Sequence, residues 1–108
     1  MLVIYYIGRE KNEQKVYLDK DTLIPLSKRI FEVAGQPYDR SSQFFEENIR
    51  NYEYDCIVEL ALEALDYDDI VLINAPFTRE IRDNDYICNL KNKLVEKNAT
   101  LFSYSGRE

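Results

Sequence analysis

The sequence predicts a single α/β domain with a mainly parallel sheet, and three observations support this. The chain has 108 residues, which is enough for one hydrophobic core and too few for two. Residues 70–73 are consecutive apolar residues, typical of a central strand covered on both faces. The end of the chain runs from this strand through an amphipathic helix to a last strand, which predicts a right-handed parallel unit.

Over residues 1–108 the predicted elements follow the order β-β-α-α-β-α-β. The first strand is LVIYYI, the second is KVYLD (Lys15–Asp19), and the last is ATLFSYS. Only residues 8–14 separate the first two strands, and a parallel crossover needs a dozen or more residues. If these two strands pair directly, they form an antiparallel hairpin.

The first helix follows the second strand. Asp21 or Thr22 can cap it, and Gly35 ends it. Its apolar positions recur at helical spacing, which predicts that they face the core. These positions are Leu23, Leu26, Ile30 and Val33.

The two later helical segments are also amphipathic. Residues 43–65 are predicted as one long helix after a Ser41 or Ser42 cap, bent near Asn51–Glu53. Its main apolar stripe comprises Phe45, Ile49, Tyr52, Cys56, Leu60 and Ala64, with Phe44, Ile57, Ala61 and Leu65 beside it. The last helix is capped by Asn84 or Asp85, and its apolar positions are Ile87, Leu90, Leu94 and Val95.

Composition excludes several classes of function. Fourteen Lys and Arg against twenty Asp and Glu give a net charge of −6, which argues against non-specific binding to nucleic acid. The chain has no His, so a Ser–His–Asp triad and a Cys–His dyad are excluded. Cys56 and Cys88 are isolated among apolar neighbours, so we expect buried, inert thiols and no metal site.

The N-terminal apolar run is too short to be a signal peptide or a membrane span. It comprises six residues before Gly8 and has no basic residues ahead of it. The sequence therefore predicts a cytoplasmic protein without membrane partners.

Four motifs in a fixed order resemble a known family of enzymes. They are YLDKDTL after a strand, DR before the long helix, R-x-x-EY within it, and VLINAPFTREIRD at a strand end. Together they cover about Val16 to Leu101. This stretch is similar to the interior of bacterial AAA-type P-loop kinase-like ATPases, the group related to polynucleotide kinases and zeta-toxin-like kinases. The resemblance implies a truncated P-loop-kinase-like sheet.

The resemblance also implies roles for polar residues at the strand ends. Asp19 or Asp21 would orient or deprotonate an acceptor hydroxyl, as in-line phosphoryl transfer requires. In the alternative interpretation, Asp21 only caps the following helix and Asp19 is solvated. Asn74 occupies the strand-end position where the family often carries a catalytic or magnesium-linked acid.

Several arginines are candidates for phosphate or substrate contact, because a guanidinium group binds phosphate in bidentate fashion. In the alternative interpretation they form ion pairs with neighbouring acids on helix surfaces. The candidates are Arg40, Arg50, and Arg79 or Arg82.

The sequence departs from this family at the phosphate-binding loop. GxxxxGK[ST] and the helix that should follow it are missing, as are the lid arginines that the family carries. Phosphoryl transfer depends on those parts, so we do not expect a competent kinase or a bound cofactor. A nucleotide half-site using ATP and magnesium, completed by another chain, is the enzymatic alternative.

Together these observations favour a kinase-derived, non-catalytic domain that acts by protein interaction, such as a mobile-element-type inhibitor. Nine Tyr and five Phe are too many for so small a core, and exposed Tyr is favoured at interfaces. Loss of the P-loop helix would also uncover one face of the sheet. We therefore expect a protein partner, a dimer or strand exchange. A truncated product without a function of its own is a third possibility.

Overall fold

The computed structural model describes residues 1–7 and 14–104 and confirms an α/β fold. Its order of strands and α-helices is β-β-α-α-α-β-α-β, which differs from the predicted order because the long helix is divided into two. The strands are β1 (Leu2–Tyr6), β2 (Lys15–Asp19), β3 (Ile70–Asn74) and β4 (Ala99–Tyr104). The helices are α1 (Ile24–Val33), α2 (Gln43–Asn48), α3 (Arg50–Ala64) and α4 (Asn84–Glu96), with 3-10 helices at Lys20–Leu23 and Glu80–Arg82. No helix within the described ranges is long and apolar enough to cross a membrane.

The four strands form one mixed sheet in the order β2-β3-β1-β4. Only β2 and β3 pair in parallel, and β1 is antiparallel to both β3 and β4. The expectation of a mainly parallel sheet is therefore wrong. The physical reason is that β1 lies between β3 and β4, so the two strands joined by α4 run in the same direction without touching.

Direct pairing of the first two strands is wrong as well. β3 lies between β1 and β2, and its register places Leu72 opposite both Val3 and Tyr17. In this position the backbone N–H and C=O groups of β3 form hydrogen bonds with β1 on one side and β2 on the other, whereas an edge strand has such bonds on one side only. The expected hairpin linker falls largely on residues 8–13, which lie outside the described residues.

The main core lies on one face of the sheet, where α3 and α4 pack. On β3, Val71 and Ile73 are buried, whereas Ile70 and Leu72 on the alternate face are half-buried. Among the described residues, helices cover only one face of β3, whereas we expected cover on both faces. Tyr17 and Phe102 belong to the opposite face and are 56% and 60% exposed.

The orientation of α1 also differs from expectation. Ser27 and Phe31 are its buried residues, whereas Leu26 is 56% and Val33 is 90% exposed. Phe31 forms a second small core with Phe45 and Ile49 on the adjacent segments. Gly35 has a φ of +68°, a conformation that favours glycine, and α1 ends before it as predicted.

The long predicted helix is divided at Ile49, whose φ of −126° and ψ of −44° separate α2 from α3. This break lies two residues before the predicted bend, and Ser42 caps α2 as one of the two expected residues. α3 buries Tyr54, Ile57, Val58 and Ala61.

The outer side of α3 carries part of the stripe that we expected to be buried. Tyr52, Cys56 and Leu60 are exposed, because the helix turns its neighbouring residues towards the sheet. Cys88 on α4 is also exposed, so the expectation of two buried thiols is wrong. The cap of α4 is Asp83 instead of Asn84 or Asp85, and Val95 is exposed on that helix.

The orientation of α1 predicts a large difference between two substitutions on the same helix. Phe31→Ala should lower the free energy of unfolding by about 3–5 kcal/mol, because it empties a fully buried aromatic site. Leu26→Ala should change it by about 0.5 kcal/mol or less if the side chain stays solvated in the folded monomer. Urea unfolding of dilute protein measures both values. A larger cost for Leu26→Ala than for Phe31→Ala would contradict this orientation.

Candidate functional site

The carboxyl ends of the parallel strands β2 and β3 border a pocket of about 300 Å³. Asp19 and Asn74 are opposite each other in the strand register, and Asp21 also lines the pocket. The structure therefore brings together three of the predicted site residues. The remaining lining consists of Lys20, Tyr54, Ala75 and Pro76.

Asp19 has a structural task at this pocket. Its carboxylate accepts a hydrogen bond of 3.0 Å from the backbone N–H of Asp21 and caps the 3-10 helix. The backbone carbonyl oxygen of Asp19 accepts a hydrogen bond of 2.7 Å from the hydroxyl of Thr22. The expected cap at Asp21 or Thr22 is therefore wrong, because Asp19 is the capping residue. Asp21 is exposed.

Lys20, the one cation among the described residues that line this pocket, is already paired. Its side-chain nitrogen donates to Glu53 at 3.0 Å and lies 4.9 Å from the centre of the Tyr54 ring. Two carboxylates and one amide therefore dominate the free polar surface of the pocket. Such a surface accepts hydrogen bonds and favours cations, and it disfavours a phosphate group.

Glu53 is the centre of a buried polar cluster next to the pocket. The residue is 4% exposed, and its carboxylate accepts two hydrogen bonds from Arg40, at 2.9 and 3.0 Å. The Ser27 hydroxyl donates to it at 2.5 Å, in addition to the contact from Lys20. Each of the two oxygens thus has two donors, which stabilises the ionised form.

The pKa of Glu53 follows from two opposing effects. Burial disfavours the charged carboxylate and raises the pKa, but the hydrogen bonds from Arg40, Ser27 and Lys20 outweigh burial. The net effect holds the pKa below its ordinary value of 4.5. Glu53 is therefore charged in the folded protein at neutral pH.

The other candidate arginines also make internal contacts. Arg50 donates to Glu80 at 2.7 Å, and both side chains are nearly buried. Arg79 pairs with Glu46 on the surface. These ion pairs join residues about 30 positions apart, so they are not the contacts between sequence neighbours that the alternative interpretation expected.

The structure does not place the candidate arginines in the strand-end pocket. Arg82 donates to the backbone carbonyl of Thr78, and Arg40 belongs to the Glu53 cluster. Arg50 and Arg79 border a separate depression of about 420 Å³ that also contains Glu80 and Asp83. Across the described part of the chain, no group of three or more His, Cys, Asp or Glu side chains could hold a metal ion.

Sequence reasoning missed Glu53 and Glu80 as the partners of these cations. Glu53 lies four residues after Ile49 and four residues before Ile57, so helical spacing places it on a buried row. An acid on an apolar row is a signal for a buried ion pair. Glu80 follows the buried Phe77 by three residues, which is a weaker signal of the same kind.

The buried contacts of Glu53 predict that removing its charge lowers the stability of the folded protein. Glu53→Gln should reduce the free energy of unfolding by about 3–5 kcal/mol, because Lys20 and Arg40 lose their shared counter-charge in a buried site. Glu59→Gln, on the exposed side of the same helix, is the matched control and should change it by about 0.5 kcal/mol or less. Equal effects in urea unfolding would contradict the structural role of the cluster.

The same variant tests the pH dependence of stability. Because the folded-state pKa of Glu53 lies below 4.5, the unfolded chain takes up this proton first as the pH falls. The contribution of the ionised Glu53 carboxylate to the free energy of unfolding is complete above pH 4.5. It is lost as the pH falls through the lower folded-state pKa of Glu53. Below pH 4.5, Glu53→Gln should therefore show a shallower loss of stability than the parent chain. Parallel curves for the two proteins would contradict this assignment.

Comparison with known proteins gives no assignment for this site. No family model, curated protein or solved structure matches the chain. Its chemistry must therefore be inferred from the arrangement of its own side chains.

Proposed function

We propose that this chain is a non-catalytic, self-associating protein-interaction domain derived from a P-loop kinase-like ancestor. The observation that supports this most directly is the internal use of its charged residues. Lys20 and Arg40 bind Glu53, Arg50 binds Glu80, and Arg79 binds Glu46. Phosphoryl transfer needs cations that are free to stabilise developing charge on phosphate, and these cations are engaged elsewhere.

The electrostatics of the strand-end pocket support the same proposal. Asp19 and Asp21 add negative charge where a triphosphate would approach, while Lys20 is neutralised by Glu53. The net charge of −6 adds a general repulsion of polyanions and favours a protein partner with a basic surface. An inhibitor that covers a basic site on a target protein is one role that fits this charge.

Exposed apolar side chains supply the surfaces for interaction. Sheets in α/β proteins usually carry helices on both faces, whereas α3 and α4 share one face here. The opposite face presents Tyr17 and Phe102, and the helical side presents Val33 and Tyr52. Aromatic residues are enriched in protein interfaces, and exposed apolar patches often mark interaction sites.

A nucleotide half-site is the second candidate, and one observation favours it. Asp19, Asp21 and Asn74 line one pocket at the end of the only parallel strand pair in the described sheet. A homo-oligomer of this chain, or a separate chain, would have to supply the phosphate-binding groups for ATP and magnesium, and the homo-oligomer is the arrangement that the chain can form without another protein. In that arrangement Asp19 or Asp21 would orient an acceptor hydroxyl.

The two candidates predict different thermal shifts. With ATP or GTP plus magnesium, the isolated chain should show no rise in melting temperature, because a ligand stabilises a protein only by binding its folded state. Asn74→Ala is the matched variant for the pocket. A nucleotide-dependent rise in the parent chain that disappears in Asn74→Ala would favour the half-site and contradict the non-catalytic proposal.

Self-association predicts a change of mass with concentration. Size-exclusion chromatography with light scattering should give twice the chain mass at high protein concentration and a decrease towards the monomer on dilution. The reason is that an exposed apolar surface is stabilised by burial against a second molecule. A monomer at every accessible concentration would reject this part of the proposal.

A further inference from the structure

The exposed apolar side chains of α1 and α3 form two rows, and Leu26, Ile30, Tyr52 and Cys56 from these rows line one slot between the helices. α1 contributes Leu26, Ile30 and Val33, and α3 contributes Tyr52, Cys56 and Leu60; we call these six residues the α1–α3 groove. The residues of each helix recur at intervals of three or four, so each set forms a row along its helix. Between the two rows lies an apolar slot of about 80 Å³, with Leu23 and Ile49 among its lining residues.

We propose that the α1–α3 groove is the surface on which a second copy of this chain packs, in a two-fold symmetric dimer. The proposal rests on the self-association proposed above and names its interface. In a two-fold dimer the same patch serves both copies, so the patch must be complementary to itself. The exposed area, the shape and the charge of the α1–α3 groove are each compatible with such an interface.

The exposed area suits a small dimer interface. Val33 is 90% exposed, Tyr52 is 67% exposed and Leu26 is 56% exposed. The six groove residues together expose on the order of 500 Å² of largely apolar surface, at the upper end of the range for single patches on monomers. With a polar rim this approaches the area of about 800 Å² per partner in a standard interface, of which more than half is apolar.

The shape of the groove offers both a projection and a receiving slot. Val33 projects from the last turn of α1, and Leu26, Ile30, Arg29 and Ala34 form the open apolar surface beside it. The slot between the helices has room for the branched end of one aliphatic side chain. Two-fold packing would place each Val33 at the slot of the other copy, as ridges of one helix pack into grooves of another.

The exposed charges of the two helices differ in net sign: α1 exposes Lys28, Arg29 and Glu32, whereas α3 exposes Asp55, Glu59 and Glu63. Arg29 is exposed on α1 and forms a surface ion pair with Glu32 at 3.0 Å. Glu63 is exposed on α3, one turn beyond Leu60. Packing α1 of one copy against α3 of the other would bring Arg29 towards this acidic surface twice. This self-complementary pattern favours a second copy over a partner of one charge.

The sheet face opposite α3 and α4 is a weaker place for the second copy. The Tyr5 and Phe102 rings stack on each other at 4.4 Å, so part of their surface is already covered within one chain.

The two cysteines allow the groove to be tested in the full chain. Cys56 lies in the groove and Cys88 lies on α4, and both thiols are exposed. Cys88→Ser leaves Cys56 as the reporter, and Cys56→Ser leaves Cys88 as the matched control. The rate of reaction with a maleimide is measured at rising protein concentration, beside the mass from light scattering.

We expect Cys56 to react about tenfold more slowly when about nine-tenths of the molecules are dimers, because a covered thiol is not accessible to the reagent. Cys88 should react at the same rate at every concentration. Dimers in which Cys56 keeps its monomer rate would overturn the groove assignment and leave the proposed self-association standing. A monomer at every concentration would overturn both.

Substitutions provide a second measurement. Val33→Lys should convert the dimer to a monomer without unfolding it, because a cation in the last turn of a helix is favourable. Leu26→Ser should weaken the dimer in the same way, and unfolding curves check that both variants fold. Tyr17→Ser on the sheet face should leave the dimer intact. Loss of the dimer in Tyr17→Ser, with its retention in Val33→Lys and Leu26→Ser, would place the second copy on the sheet face.

Discussion

The ionised carboxylate of Glu53 positions α1 and the segment before α2. It joins Lys20 after β2, Ser27 on α1 and Arg40 in the segment before α2. These donors come from three stretches of the chain. The principal contacts of α1 are with the 3-10 helix at Lys20–Leu23 and not with the strands. The position of α1 therefore depends on this cluster and on the packing of Phe31. Removing a buried charge from such a cluster leaves its partners uncompensated.

The orientation of α1 follows from the same contacts. Ser27 faces inwards to donate to Glu53, and Phe31 faces inwards to meet Phe45. On a helix these two residues share one side, so Leu26, Ile30 and Val33 are turned outwards. The groove that we propose for the second copy is thus a consequence of the buried polar cluster. The same cluster also neutralises Lys20 beside the strand-end pocket, which weakens any attraction for phosphate.

Much of the local structure could be predicted from the sequence. Apolar periodicity located the helices and strands in order, and Gly35 marked the end of α1, because these signals arise from a few adjacent residues. The resemblance to P-loop kinase-like proteins, not local periodicity, assigned Asp19 and Asn74 to strand ends, and the structure makes these two ends neighbours. Strand order was not predictable in this way, because the insertion of β1 between β3 and β4 depends on contacts between residues far apart in sequence.

The apolar spacing within a helix also could not predict which face of that helix is buried. Leu26, Ile30 and Val33 fit the spacing of a core face, and only the distant partners of Ser27 and Phe31 decide that the other side is buried. The arginines illustrate the same limit. Their residue type suggested phosphate binding, whereas acids 13 to 33 positions away determine what they contact. The spacing of Glu53 between Ile49 and Ile57 was the one available signal of the cluster.

The central claim is that the charged residues resembling those of a kinase serve the fold and the interactions of this protein instead of phosphate chemistry. The most direct test is an NMR titration that follows the side-chain Nε–Hε signals of Arg40, Arg50 and Arg79 as magnesium-ATP is added to millimolar concentration. The account predicts that these signals stay in place, because the guanidinium groups remain paired with Glu53, Glu80 and Glu46. Saturable shifts at two or more of these arginines would contradict it.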